Sequence, residues 1–406
     1  MIHGLILGGV LALAIGPSIA EPNKPILERA QHYQADALKL LERLVNIDSG
    51  TGYAEGLVQV GAIAVEGLRK LGANIEILPA RPAVGDNIVA TFNGTGKGRI
   101  LLMAHTDTVF APGTAAKRPF RIDGERAYGP GVSDDKGGVV TAISVLKILQ
   151  DLKFRDYARI TLLLNTNEET GSRGSRALIE KLAKEHDVTL NLESGRAGDG
   201  IVIWRKGSAR LTIEVKGRAA HAGGSPEQGR NAAMELANQV LQVAKLGNPQ
   251  KQTSVNVTVL QSGDRSNVIP DLAVAYVDVR ALVSEEFDRV EREAAATAKD
   301  GKLIPDTEVT TTLVRSFPIM PQNAQTDTLA KLAQSIYGEL GKTLKLEGSG
   351  GAADSSFAAG VFKPALDGLS IVGGNAHTDR EYIELASIPP RFYLLTRMIM
   401  ELGKGE

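Results

Sequence analysis

The 406-residue sequence has no cysteine. Disulfides and thiolate metal ligands are therefore excluded, and any metal has to be held by carboxylates and imidazoles. Net charge is also nearly absent: 46 Lys plus Arg against 47 Asp plus Glu leave −1. No basic stripe favours nucleic acid, and no charge run favours a membrane surface. Aromatic residues make up only 4%, beside 44 glycines and 43% hydrophobic residues. That is the composition of a soluble α/β protein, of a length suited to two or three domains. Long apolar runs are missing except for residues 5–16 (LILGGVLALAIG), too short to span a bilayer comfortably. With Ser18 and Ala20 as small residues before Glu21, residues 1–20 read as a signal peptide, although only His3 could charge its flank. The expected location is periplasmic or secreted, with no membrane attachment once the signal is removed.

The apolar spacing predicts helices over residues 26–44 and 54–71, the second ending at Gly72. Short strands follow at 74–78, 87–92 and 99–104. A helix over 137–152, a strand over 159–165 and a helix over 175–185 come next. Near-continuous apolar strands alternating with helices indicate a mainly parallel, helix-covered sheet. Near residue 208 the texture changes: Leu211, Ile213 and Val215 alternate with polar neighbours, as do Val255, Val257 and Val259. Two amphipathic helices, over 231–244 and 285–299, separate the strands. The order β-α-β-β-α-β is that of a ferredoxin-like sandwich, inserted before helix–strand alternation resumes. The domain reading is 21–208 and 319–406 for the catalytic body and 209–318 for an inserted dimerisation or lid domain.

Polar residues cluster where apolar strands run out: His105 and Asp107 in RILLMAHTDTV, Glu168 and Glu169 in LLLNTNEETGS, and Glu193 in VTLNLESG. Asp134 and Asp135 lie in the Gly-rich turn of YGPGVSDDKGG, and His377 lies in GGNAHTDREYI. Sites in open α/β sheets form beyond the carboxyl ends of strands, so these segments can converge. Crowded carboxylates repel and are costly to bury unpaired, and divalent cations remove that cost. With no sulfur on offer, imidazole plus carboxylate suits zinc, with manganese or cobalt as substitutes. Taken singly, each motif has a plainer reading. Asp134–Asp135 could be a helix N-cap pair, Glu168–Glu169 a charged turn and His377–Asp379 a surface loop.

In this order, and with an inserted ferredoxin-like domain, AHTDTV, GPGVSDDKGG, NTNEETGS, LES and AHTD resemble the M20 family of co-catalytic zinc peptidases. Within it the chain looks most like bacterial glutamate carboxypeptidases that release C-terminal glutamate from folates. The resemblance implies a zinc-exopeptidase-like α/β fold and two zinc ions per subunit. His105 and Glu193 would hold one zinc, Glu169 and His377 the other, and Asp134 would bridge them. Glu168 would be the general base for a water between the metals, Asp107 would orient the His105 ring, and Asp134–Asp135 would be a cis peptide. His221, in GRAAHAGGSPEQGRNA, would reach the active site of the partner subunit in a homodimer and polarise the scissile carbonyl. Asn267 and Arg280 match substrate-facing positions, with Arg280 suited to a free α-carboxylate unless it is a strand-end ion pair. The backbone of Gly350 and Gly351 would also cradle a carboxylate.

Two departures stand out. Asn167 occupies a position where the family often has Asp, and Ser316–Phe317–Pro318 follow Arg315 where relatives have a second arginine. Arg205–Lys206 could compensate for the missing cation. The implied activity is hydrolysis of the amide before a C-terminal amino acid, glutamate first, in folyl- or N-acyl-glutamates and small peptides. An aminoacylase or di/tripeptidase with neutral-residue preference is the rival, and a non-catalytic amino-acid-binding protein stands further off.

Overall fold

The computed structural model describes residues 21–405, so the expected signal peptide over 1–20 lies outside the described residues. Its main sheet has six strands, in the order Asn74–Pro79, Asp86–Asn93, Arg159–Asn165, Arg99–His105, Val188–Asn191 and Ala365–Leu366. Only Asp86–Asn93 runs against the rest; the pairs of Arg99–His105 with both neighbours are parallel, as is the last pair.

The apolar runs noted above are buried on both faces. Ile100, Leu102 and Ala104 join Leu162 and Leu164 in a core with the helices Lys136–Asp151 and Ile388–Gly403. The alternate residues Leu101, Met103 and Leu163 face Ile179, Leu182 and Phe357 on the opposite side. A period of two therefore divides one strand between two hydrophobic layers, as a sheet covered by helices requires. The parallel register aligns His105 with Asn165 and Met103 with Asn191. The chain thus leaves three neighbouring strands at one edge, and the loops carrying His105, Glu168 and Glu193 emerge together.

The predicted helix over 26–44 is two helices, Lys24–His32 and Gln34–Val45, parted at Tyr33. The apolar period runs through the break because Ala30, Tyr33 and Ala37 all face the same core. The next helix, Ala54–Lys70, is followed by Gly72 at φ +79°, a left-handed stop that glycine adopts without strain.

The inserted segment forms a four-stranded antiparallel sheet in the order Ser254–Ser262, Leu272–Ala281, Gly207–Lys216 and Glu308–Phe317. The helices Ala232–Val243 and Ser284–Asp300 close a separate core of Leu211, Ile213, Val277, Val279, Phe287 and Val290. This is the ferredoxin-like order. The incoming and outgoing chains pair at one point: Arg205 N–H donates to the Met320 carbonyl at 2.9 Å, and Met320 N–H to the Arg205 carbonyl at 3.1 Å.

Besides the two-residue pair of Ala220–His221 with Val268–Ile269, two smaller sheets escaped the sequence reading. Lys345–Ser349 runs parallel to Gly200–Arg205. Gly373–Gly374, Tyr382–Glu384, Arg126–Tyr128 and Arg121–Asp123 form a sheet of very short strands. The hairpin 375–381 of this second sheet carries His377.

Candidate metal centre

His105, the last residue of its strand, is 2% exposed. Its Nε2 lies 3.0 Å from Asp134 Oδ1 and 3.6 Å from Glu193 Oε1. The Nδ1 side faces the Asp107 carbonyl at 3.0 Å and Asp107 Oδ1 at 3.3 Å. With acceptors there, the proton of the neutral ring stays on Nδ1 and Nε2 presents its lone pair to the pocket. From the other side His377 Nε2 comes within 3.1 Å of Asp134 Oδ2 and 3.1 Å of Glu169 Oε2. Asp134 therefore offers one oxygen to each imidazole. Two triads, His105–Asp134–Glu193 and Asp134–Glu169–His377, share that aspartate, and the ligand atoms of each lie within 4.8 Å of one another.

The supporting groups explain how the sequence builds this. Asp107 is fully buried and accepts from Glu168 N–H at 3.1 Å, Glu169 N–H at 3.2 Å and Thr51 Oγ1 at 2.6 Å. One carboxylate thus fixes both the His105 ring and the backbone of the glutamate pair. Asp135 caps the helix Lys136–Asp151 by accepting from Gly138 N–H at 3.1 Å, and it also receives His105 N–H at 3.2 Å. The N-cap reading therefore holds for Asp135, while Asp134, joined to it by a cis peptide, turns to the pocket. Asn167, fully buried, donates to Ser175 Oγ at 2.7 Å and accepts from Gly174 N–H at 2.9 Å. An amide with both a donor and an acceptor serves this position, so the departure from aspartate leaves the loop braced.

The adjacent glutamates diverge. Glu169 reaches His377, whereas the Glu168 carboxylate makes no hydrogen bond among the described residues and remains free at the pocket. Burial pushes Glu168 well above the ordinary carboxylate range; His105 opposes this, and Glu193, Asp354 and Glu169 add to it. Burial would also raise Asp134, but the two imidazoles outweigh it and hold Asp134 below its usual range.

Among the described residues no lysine or arginine pairs with Asp134, Glu168, Glu169 or Glu193, and only imidazoles face Asp134, Glu169 and Glu193. Glu169 Oε1 is buried without a hydrogen-bond partner. An orphaned carboxylate oxygen, a shared aspartate and two imidazoles are the donor set a pair of divalent cations takes up, and the residues fit such a group.

The remaining sequence candidates lie elsewhere, and none hydrogen-bonds to the cluster. His221 pairs with Val268 in a separate two-stranded sheet of the inserted segment and is exposed. Its Nδ1 accepts from Gly223 N–H at 3.2 Å and Gly224 N–H at 2.9 Å, which leaves Nε2 as the donor of the neutral ring. The Asn267 carbonyl accepts from Ala222 N–H at 2.9 Å beside the same strand pair. Arg280 turns its fork onto Asp278, Nε to Oδ1 at 2.9 Å and Nη2 to Oδ2 at 3.0 Å, which is the ion-pair alternative. The Gly351 carbonyl accepts from Arg205 Nη1 at 3.1 Å, and Gly351 N–H is turned to Ser349 Oγ at 3.1 Å, beside exposed Gly350. Arg205 itself is buried against Asp367 at 2.7 Å. Sequence reasoning missed Glu381, whose buried carboxylate receives three backbone N–H groups of the turn bearing Asp134.

Comparison with known proteins agrees with this geometry. The family model for peptidase family M20/M25/M40 matches residues 101–401. Carboxypeptidase G2 of Pseudomonas sp. (strain RS-16) is 38% identical over 412 residues, covering 100% of this chain and 99% of that protein. Among solved structures, a tripeptidase from Staphylococcus aureus superposes with a TM-score of 0.76 at 22% identity, covering 91% of this chain and 99% of that one. An M20 family metallo-carboxypeptidase from Sulfolobus solfataricus gives 0.74 at 16% identity, covering 91% and 99%. Residues that build a shared-aspartate cluster at the edge of a parallel sheet, within a matching whole-chain relative, lead to one conclusion: the chain belongs to the M20 family of peptidases.

Proposed function

We propose that this peptidase is a dizinc carboxypeptidase that hydrolyses the amide before a C-terminal amino acid, with glutamate preferred. The observation that carries the reading is Asp134 shared between two triads beside the free Glu168 carboxylate. His105 and Glu193 would hold one zinc, Glu169 and His377 the second, and Asp134 both. Zinc held there supplies Lewis acidity and makes water a better acid. Glu168 takes the proton of the attacking water and passes it to the departing amine. Asp107 keeps the His105 ring oriented throughout. His221 of a partner subunit in a homodimer would donate its Nε2–H to the developing oxyanion, in keeping with the acceptor role of its Nδ1. Arg280 has to exchange Asp278 for a substrate carboxylate to take part, and Asn267 and the Gly350–Gly351 backbone would complete the grip. The apolar leader fits export, and the enzyme would then work in the periplasm or outside the cell.

One observation favours the aminoacylase or di/tripeptidase alternative. Phe317, in the stretch after Arg315 where relatives have a second arginine close by, packs tilted against Phe357 with ring centroids 5.1 Å apart and lies beside Gly171 of the Glu168–Glu169 loop. An apolar ring there suits a neutral side chain. A panel of folyl-glutamate, N-acyl-glutamates, N-acyl neutral amino acids and dipeptides separates the readings. Glutamate at the leaving end is expected to win in kcat/KM by about 100-fold or more, because a site built for a polar group rejects analogues lacking it. A preference for neutral residues would replace glutamate specificity with the alternative.

A further inference from the structure

We infer that Glu381 is a positioning residue for the metal centre, holding the turns that carry Asp134 and His377 in one fixed relation. Its carboxylate is 2% exposed and faces donors only. Oε1 accepts from Ser133 N–H at 2.8 Å and Asp134 N–H at 3.0 Å, and Oε2 accepts from Gly131 N–H at 3.0 Å. Backbone amides converging in this way form a nest that takes an anion. A glutamine cannot replace the carboxylate, since its NH2 would face an N–H wherever it is placed.

The position of Glu381 in the chain gives this contact its meaning. It lies four residues after His377, in the hairpin anchored where Tyr382 pairs with both Gly374 and Tyr128. The turn between is unusual: Asn375 and His377 have φ of +55° and +65°, a region costly for residues other than glycine. Thr378 bonds back to the Asn375 carbonyl through N–H at 3.2 Å and Oγ1 at 2.8 Å, and Arg118 Nη1 reaches the Thr378 carbonyl at 3.3 Å. Two of the second triad's three members, Asp134 and His377, therefore come from turns far apart in sequence, and Glu381 joins those two turns. The His377 side chain is 54% exposed, so packing alone does not fix the ring.

The inference rests on the metal-dependent reading above and is tested by metal binding without substrate. Zinc affinity, measured by competition with a chromophoric chelator, is expected to fall about 10- to 100-fold in Glu381→Gln, the usual cost of losing an outer-shell partner. The visible spectrum of the cobalt-loaded protein should change with it. Glu235→Gln is the control. Glu235 is a second fully buried carboxylate, receiving Leu303 and Ile304 N–H at 2.7 and 2.6 Å within the inserted sheet's domain. It should lower the melting temperature and leave zinc affinity unchanged. Unaltered zinc affinity in Glu381→Gln overturns the inference. If that variant does not fold, Glu381→Asp, which keeps the charge and shortens the reach, is expected to show the same loss, and normal affinity in it is equally decisive. Absence of zinc binding by the unaltered chain would instead remove the metal-dependent reading itself.

Discussion

Glu168→Ala is expected to keep its metal ions and lose about 10²- to 10⁴-fold in kcat, the range over which a positioned general base contributes. The split follows from what the two neighbouring glutamates touch. Glu169 lies 3.1 Å from His377 Nε2 and belongs to a triad, while the Glu168 carboxylate makes no hydrogen bond among the described residues and is held at the pocket through its backbone N–H on Asp107. Glu169→Ala should therefore lose metal as well as turnover. Measuring metal content and kcat on the same preparations distinguishes the roles, and near-normal turnover in metal-loaded Glu168→Ala would eliminate the mechanism. Since Asp107 holds both backbones, Glu168→Ala leaves the geometry of Glu169 intact, which makes the comparison clean.

Removing the metal with a chelator should abolish hydrolysis and lower thermal stability together. A ligand present at about 1,000 times its Kd stabilises the native state by about 4 kcal/mol, and that contribution disappears on removal. The metal-free protein should also acquire a pH dependence that the loaded protein lacks. Contacts with Asp134 and then Glu169 raise His377 to about 10, above the value near 6.5 of an unfolded chain. A raised imidazole stabilises fully below about pH 6.5, and the contribution is lost as the pH climbs through about 10. Asp354, pushed up to about 7 by burial and outside both triads, adds a dependence of the same sign with or without metal: the fold loses stability as pH rises from about 4 through 7. Calorimetry across this window should show the metal-free melting temperature falling with pH. A flat profile in the metal-free chain, or no change on chelation, would contradict the proposed centre.

Much of this centre was legible because its residues terminate apolar runs. His105, Glu168 and Glu193 follow strands that parallel pairing brings into register, and the Gly-rich turn before Lys136 exposes Asp134. Doubly buried strands announce both the fold and the edge where polar residues gather. What stayed hidden depends on pairing between distant short segments. Glu381 acts only because Tyr382–Glu384 lies against Arg126–Tyr128, strands of three residues with no periodicity to detect. For Arg280 the sequence also held the ion-pair alternative: Asp278 lies two residues earlier on the same face of the strand, and the run DVR contains that competitor in plain view. The break at Tyr33 left no trace because both short helices bury the same stripe.

The crossing of Arg205 and Met320 has an evolutionary side. Every residue of the two triads lies outside 207–317, and the stretch between is attached by two backbones that leave side by side. Such a module can be lengthened, exchanged or lost in descent while the ion-holding body stays intact, because neighbouring attachment points make grafting cheap. The proposed substrate contacts Asn267 and Arg280 sit on that module, so they can change without disturbing the two triads beneath it.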